Sequence, residues 1–172
     1  GQGVPRDFGQ ALKWYTMAAE QGQISAQFTL ARMYGKGEDV PQDYEQALKW
    51  YTKAAEQGHV SAQHDLGCLY FKEEGVPNDY KQALKWFTKA AKQGNASSQN
   101  NLAIMYCTGW GIPKDSIEGY AWLLLVSKNG KPGIEDKFEK ELTPDQIAAG
   151  QARAKELQEE MNMQIASIKE IG

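Results

Sequence analysis

Four tryptophans, Trp14, Trp50, Trp86 and Trp122, stand 36 residues apart. The same interval relates Val4, Val40, Val76 and Ile112; Pro5, Pro41, Pro77 and Pro113; Asp7, Asp43, Asp79 and Asp115; and Gly22, Gly58, Gly94 and Gly130. Residues 40–75 and 76–111 are identical at 20 of 36 positions. Such self-similarity marks a tandem array, in which a unit cannot bury its apolar face alone and stacking on its neighbours completes the core. The units are expected at about 4–39, 40–75, 76–111 and 112–142, forming a repeat domain over 1–142, with a C-terminal capping helix over 143–172.

Each unit reads as two helices. Asp43 stands where its carboxylate accepts from first-turn amides, and Gln46, three residues on, is placed to reach back; Asp7 with Gln10, Asp79 with Gln82 and Asp115 with Glu118 repeat this capping box. Tyr44, Ala47, Leu48, Trp50, Tyr51, Ala54 and Ala55 follow at helical spacing until Gly58, a residue suited to a left-handed helix end. A shorter second helix is expected from Ser61, with Ala62, Leu66, Leu69 and Tyr70 on one face. The loop Lys72 to Gly75 then leads to the next Val-Pro, where proline precedes a helix cap without interrupting a helix. Ala47, Ala54, Ala55, Ala62 and Gly67 allow close helix approach around Trp50 and Tyr70.

The motif Val-Pro-x-Asp-Tyr-x-x-Ala-x-x-Trp-(Tyr/Phe)-x-x-Ala-Ala-x-x-Gly, followed by Ser-Ala-Gln-x-x-Leu-Gly-x-x-Tyr, resembles the Sel-one-like repeat, a relative of the tetratricopeptide repeat. The resemblance implies an all-α, right-handed α-solenoid of two-helix repeats with a concave groove. It also implies an adaptor or scaffold that binds a protein or peptide partner. Cysteine pairs that staple repeats in some family members are missing here, and no serine begins the Ser-x-x-Lys arrangement of a serine acylation site.

Composition narrows the partner classes. Over 172 residues the net charge is -3 and the pI near 5.5, so no cationic surplus serves a nucleic-acid backbone. No apolar run approaches the roughly 20 residues of a membrane-spanning helix, so no membrane insertion is expected. Two cysteines do not make a disulfide framework. No motif calls for a cofactor or metal, and the sequence leaves the compartment open.

The two ends depart from the pattern. Gly1 aligns with Gly37, so the array reads as a fragment opening inside a loop, and its first helix should expose an apolar flank. In the fourth unit Ser116 replaces the aromatic and Gly119 the alanine, and a short helix is expected around Ile134, Phe138 and Leu142. Thr143-Pro-Asp-Gln146 is a strong helix start. From there Ile147, Ala154, Leu157, Met161, Ile165 and Ile168 form a near-heptad stripe. Two readings are open for it: packing on the end of the solenoid, or self-association through the C-terminal helix.

Positions that recur are explained by packing, so recognition is expected at outward positions of the second helices that vary. The candidates are Phe28 and Arg32; His64, Asp65, Cys68 and Phe71; and Asn100, Asn101 and Ile104, with Trp110 as a loop anchor. Phe28, Phe71 and Ile104 suit apolar side chains, while Arg32, His64 and the asparagines suit peptide backbone or carboxylate. A different reading rests on His64 and Cys68, four residues apart on one helical face, as part of a hydrolase or metal site. It lacks a third ligand and an evident oxyanion hole, and a further reading makes the chain a structural segment of a longer repeat array.

Overall fold

The computed structural model describes residues 8–37, 40–72, 75–128 and 138–171. Among them all regular structure is helical, in eight helices: α1 (Phe8–Glu20), α2 (Ile24–Lys36), α3 (Tyr44–Glu56), α4 (Val60–Phe71), α5 (Tyr80–Lys92), α6 (Ala96–Thr108), α7 (Ser116–Lys128) and α8 (Pro144–Ile171). They group into two compact bodies, Gly1–Asn78 and Asp79–Gly172. In the first body α1, α2, α3 and α4 pack in chain order; in the second α5, α6, α7 and α8 do so, and α8 also reaches α5.

The second helices are scarcely shorter than the first. The helices α2 and α6 have 13 residues and α4 has 12, against 13 for α3 and α5. Helix α4 begins at Val60, ahead of the expected Ser61, because His59 is its cap: Nδ1 accepts from the Ala62 amide at 3.1 Å. Asn95 does the same for α6, accepting from Ser98 at 2.8 Å.

Asp43, Asp79 and Asp115 cap the first helices as expected, accepting from the amides of Gln46, Gln82 and Glu118, each at 3.0 Å. The reciprocal half of the box is redirected. The Asp43 amide donates to the Tyr34 carbonyl and the Asp115 amide to that of Tyr106, both at 2.9 Å, which ties each first helix to the end of the helix before it. The full box forms only at α8, where Thr143 N–H donates to Gln146 Oε1 at 2.9 Å and Gln146 N–H to Thr143 Oγ1 at 3.3 Å. Asp7 and Ile134 lie outside the described residues.

Burial follows the repeat. Leu30, Leu66 and Leu102 are fully buried, and so are most of the recurring alanines. A glutamine is buried at the same register in the first three units: Nε2 of Gln27, Gln63 and Gln99 donates to the carbonyls of Ala19, Ala55 and Ala91 at 3.0, 3.0 and 3.2 Å. Those carbonyls belong to the last turn of the preceding helix, where no intrahelical donor remains. The glutamine therefore fastens the two helices across the Gly22, Gly58 or Gly94 turn. Gln27 Oε1 accepts from Gln57 at 2.7 Å. Gln99 Oε1 is buried without a partner. The register that supplies Gln57 falls there on residue 129, outside the described residues.

Trp50, Trp86 and Trp122 are 3%, 4% and 2% exposed, whereas Trp14 on α1 is 65% exposed, the apolar flank expected of the first helix. Where first and second helices touch, one of the facing positions is small. An added Cβ on Gly35 would meet Ala47 at 3.5 Å; in the last pair the facing positions are Cys107 and Gly119, where a Cβ on Gly119 would stand 2.6 Å from Cys107 Sγ and 2.9 Å from its backbone nitrogen. The drift from Ala47 and Ala83 to Gly119 is thus the counterpart of Cys107.

The terminal stripe packs within the second body. Ala154, Leu157 and Met161 are buried, and Gly150 lets α8 approach Tyr120 of α7. Of the expected self-association segment, Met161 to Ile168, the first residue is thereby committed to the chain's own packing. Glu118, whose register carries Gln46 and Gln82 elsewhere, accepts from Trp122 Nε1 at 3.0 Å and from Arg153 Nε of α8 at 2.8 Å. Arg153 also reaches Glu156 and Glu160, and Lys92 of α5 meets Glu160 at 2.7 Å.

Two outcomes follow from this packing. Gly119→Ala should destabilise the chain by about 1–3 kcal/mol through overpacking, and Cys107→Ala should recover only part, because the backbone contact persists; urea titration of the single and double variants measures both. The Glu160 carboxyl is held below its ordinary value, first by its hydrogen bond to Lys92. Its stabilisation is complete above the ordinary glutamate value and is lost as pH falls through the lower, folded value. Protection of α8 amides, corrected for the intrinsic pH dependence of exchange, should fall with acid in the parent chain, whereas Lys92→Ala should start lower at pH 7 and fall less; identical profiles would remove the ion pair from the account.

Candidate functional site

The repeat places the varying outward positions one helical turn apart. On α2 these are Phe28, Arg32 and Lys36, and on α4 they are His64, Cys68 and Lys72, each 36 residues further on. Arg32, Lys36 and Lys72 are exposed; Phe28, His64, Asp65, Cys68 and Phe71 are half-buried.

Phe28 is partly committed to the chain's own packing. Its ring stacks on His59 with centroids 4.4 Å apart and stands 6.0 Å from Tyr51, with the Arg32 guanidinium 5.9 Å from its centroid. Beside this group a cleft of about 490 Å³ opens in the first body, lined by Gly35, Lys36, Gln42, Tyr44, Tyr51, Asp65, Cys68, Leu69 and Lys72. Its edge is set by Gln42, whose Nε2 donates to the Gly35 carbonyl at 2.8 Å and to Tyr44 Oη at 2.9 Å. Tyr51 and Asp65 both line the cleft, and each perturbs the titration of the other.

Electrostatics keep this cluster in its neutral or hydrogen-bonded forms. Burial, and then Asp65, raise the Tyr51 hydroxyl well above the usual tyrosine value, so it remains a donor. Burial raises Asp65 itself, opposed by His64, Tyr51, Arg32 and Lys36. Burial lowers His64, with Asp65 opposing. Cys68 Sγ stands 3.5 Å from His64 Nε2, but burial, and then Asp65, push its thiol up to about 11. A reactive cysteine is made by the reverse arrangement, a thiolate stabilised by nearby cations. Among the described residues no three His, Cys, Asp or Glu side chains converge as a metal set, and no helix is long and apolar enough to cross a membrane.

In the second body Asn100 and Asn101 are half-buried on α6, Ile104 is 40% exposed, and Trp110 lies beyond the helix end at 53% exposure. Thr108 links the last two, its hydroxyl donating to the Ile104 carbonyl at 2.7 Å and accepting from the Trp110 amide at 3.2 Å. Two hollows on that body are lined instead by Lys81, Leu84, Tyr106 and residues 111–115, and by Leu124, Leu125, Ser127, Gln151 and Ala154, so none of these four candidates lines either.

Tyr51, Gly35, Tyr44 and Lys36 were not singled out by the sequence. Two signals point to them in retrospect. Residue 35 is glycine where the next units carry Phe71 and Cys107, and residue 51 bears a hydroxyl where the next unit carries Phe87.

Comparison with known proteins agrees with the repeat. Sel1 repeats match at residues 1–23, 24–59, 60–95 and 96–131. A solved Sel1 repeat protein from Oxalobacter formigenes is 36% identical over 70% of this chain and 50% of that one, with a TM-score of 0.66. A second solved structure is c5321, a protective antigen present in uropathogenic Escherichia coli strains and displaying an SLR fold; it is 30% identical over 94% of this chain and 44% of that one, with a TM-score of 0.47. This chain therefore spans about half the length of these solved relatives. No curated protein matches it significantly. The chain belongs to the Sel1 repeat family, an all-α class of repeat solenoids that typically serve as protein-interaction scaffolds.

The thiol environment has a direct chemical readout. With Cys107 replaced by serine, iodoacetamide should label Cys68 more slowly at pH 7 than in the urea-unfolded chain, with the rate still climbing at pH 10. Fast labelling at neutral pH that disappears in His64→Ala would establish an activated pair and overturn this assignment.

Proposed function

We propose that the chain is a non-enzymatic scaffold that captures a protein or peptide partner on the outward faces of its second helices. The observation that carries this reading is the split between recurring and varying positions. Leu30, Leu66 and Leu102 recur and are fully buried. Residues 28, 64 and 100 read Phe, His and Asn, residues 32, 68 and 104 read Arg, Cys and Ile, and all six retain exposure. Helix-on-helix stacking fixes their backbone before a partner arrives, so little ordering entropy is lost on binding. The alternative, hydrolysis or metal chemistry at His64 and Cys68, is disfavoured by a thiol held protonated near pH 7.

Affinity capture with the chain and two variants tests the proposal. One variant combines Arg32→Ala, His64→Ala and Phe71→Ala; the other combines Asn100→Ala, Ile104→Ala and Trp110→Ala. At least one should retain helicity yet recover several-fold less of a partner that the parent chain captures specifically. Undiminished capture by both would remove the second-helix faces from the proposal.

A further inference from the structure

Within that reading, on which this inference rests, the cleft of the first body has a chemistry of its own. Its wall residue Gly35 has no side chain where the same register elsewhere holds Phe71 or Cys107, and this leaves open space next to the edge of the otherwise buried Tyr51, whose ring and hydroxyl lie 3.8 and 4.0 Å from where a Cβ would stand. Asp65, Cys68 and Gln42 also differ from their counterparts: Asn101 and Thr29, Ile104 and Arg32, and Asn78 and Lys114. Stacking of repeats does not require any of these choices, yet they converge on one hollow. The half-buried Asp65 lines this hollow beside Tyr51, and its carboxylate has acceptor capacity for a ligand. Lys72 stands at the rim from α4, and the exposed Arg32 lies one turn before Lys36 on α2. The second-helix faces of this body thus set cations around one inset carboxylate, on a chain whose net charge is -3.

We propose that this cleft is an anchor site for an acidic peptide segment of a partner protein, which directs an uncharged donor, a backbone amide or a Ser, Thr or Asn side chain, to Asp65 and sets an Asp or Glu carboxylate between Lys72 and Arg32. A recessed acceptor beneath a cationic rim discriminates by both shape and charge. A basic segment meets Lys72 and Arg32 unfavourably, and an apolar one leaves Asp65 unpaired.

A displayed library of random 12-residue peptides, selected on the full chain and counter-selected on Gly35→Leu, provides the probe. Gly35 lies within α2 without a left-handed backbone, and its Cβ position makes only ordinary contacts, so leucine fills the hollow and favours the helix. Enriched peptides should carry Asp or Glu, bind Gly35→Leu and Lys72→Glu about tenfold more weakly by calorimetry, and weaken with added salt. Lys72→Glu changes an exposed side chain, and unaltered thermal melting confirms that the fold survives. Peptides that bind Gly35→Leu as well as the parent overturn the cleft. Basic peptides that tighten with Lys72→Glu overturn the charge assignment and place recognition on the carboxylates of Glu38, Asp39, Glu73 and Glu74, which follow the two helices in sequence. Peptides sensitive only to Ile104→Ala or Asn100→Ala also overturn the cleft while leaving the wider second-helix reading intact. Failure to enrich any peptide sinks the anchor, with the scaffold reading still judged by affinity capture.

Discussion

Helices in this chain come close only where one of two facing positions is nearly empty. Cys107 opposite Gly119 and Tyr120 opposite Gly150 are two instances of one steric rule. The large side chains of the repeat, Trp50, Tyr51, Trp86 and Phe87, reach full or nearly full burial because alanines and glycines around them admit the neighbouring helix. Dispersion falls steeply with separation, so a helix pair held an ångström further apart would lose much of the contact on which its core depends.

Close approach brings helix-end carbonyls into the interior, each already accepting from the glycine amide of the turn, and the repeat adds a glutamine. The carbonyls ending α1, α3 and α5 would otherwise lack a second donor, and Gln27, Gln63 and Gln99 supply it. The same economy governs the terminal helix. Glu118 stands where other units have glutamine, and its carboxylate gathers Trp122 and Arg153, so α8 is fixed to α7 by charge as well as by Leu157 and Met161. A single substitution converts a cap position into an anchor for the last helix.

The candidate surface arises from what the packing leaves free. Phe28 was expected to face a partner and is instead half engaged with His59 and Tyr51, because His59 caps α4 at a place where its ring also covers Phe28. His64 and Cys68 do lie side by side, but burial disfavours the charged forms that would make them reactive. Binding is the role that this environment supports, since neutral and recessed groups recognise a ligand without transforming it.

Periodicity alone was enough for the helices, the aspartate caps of the first helices and the buried alanine and leucine positions, because each follows from local spacing that recurs every 36 residues, while the His59 and Asn95 caps of the second helices were not read from it. It also located the start of α8 and the stripe by which that helix packs. The cleft between α2, α3 and α4 was not legible in this way. Asp65 was visible as a variable residue, but its place beside Tyr51, and the hollow left by Gly35, depend on which side chains two different helices present to each other. The redirection of Glu118 to Arg153, 35 residues away, is of the same kind. Local chemistry decides what a segment becomes; contact between segments distant in sequence decides which polar groups are buried, paired or left facing a partner, and only the tertiary structure contains that information.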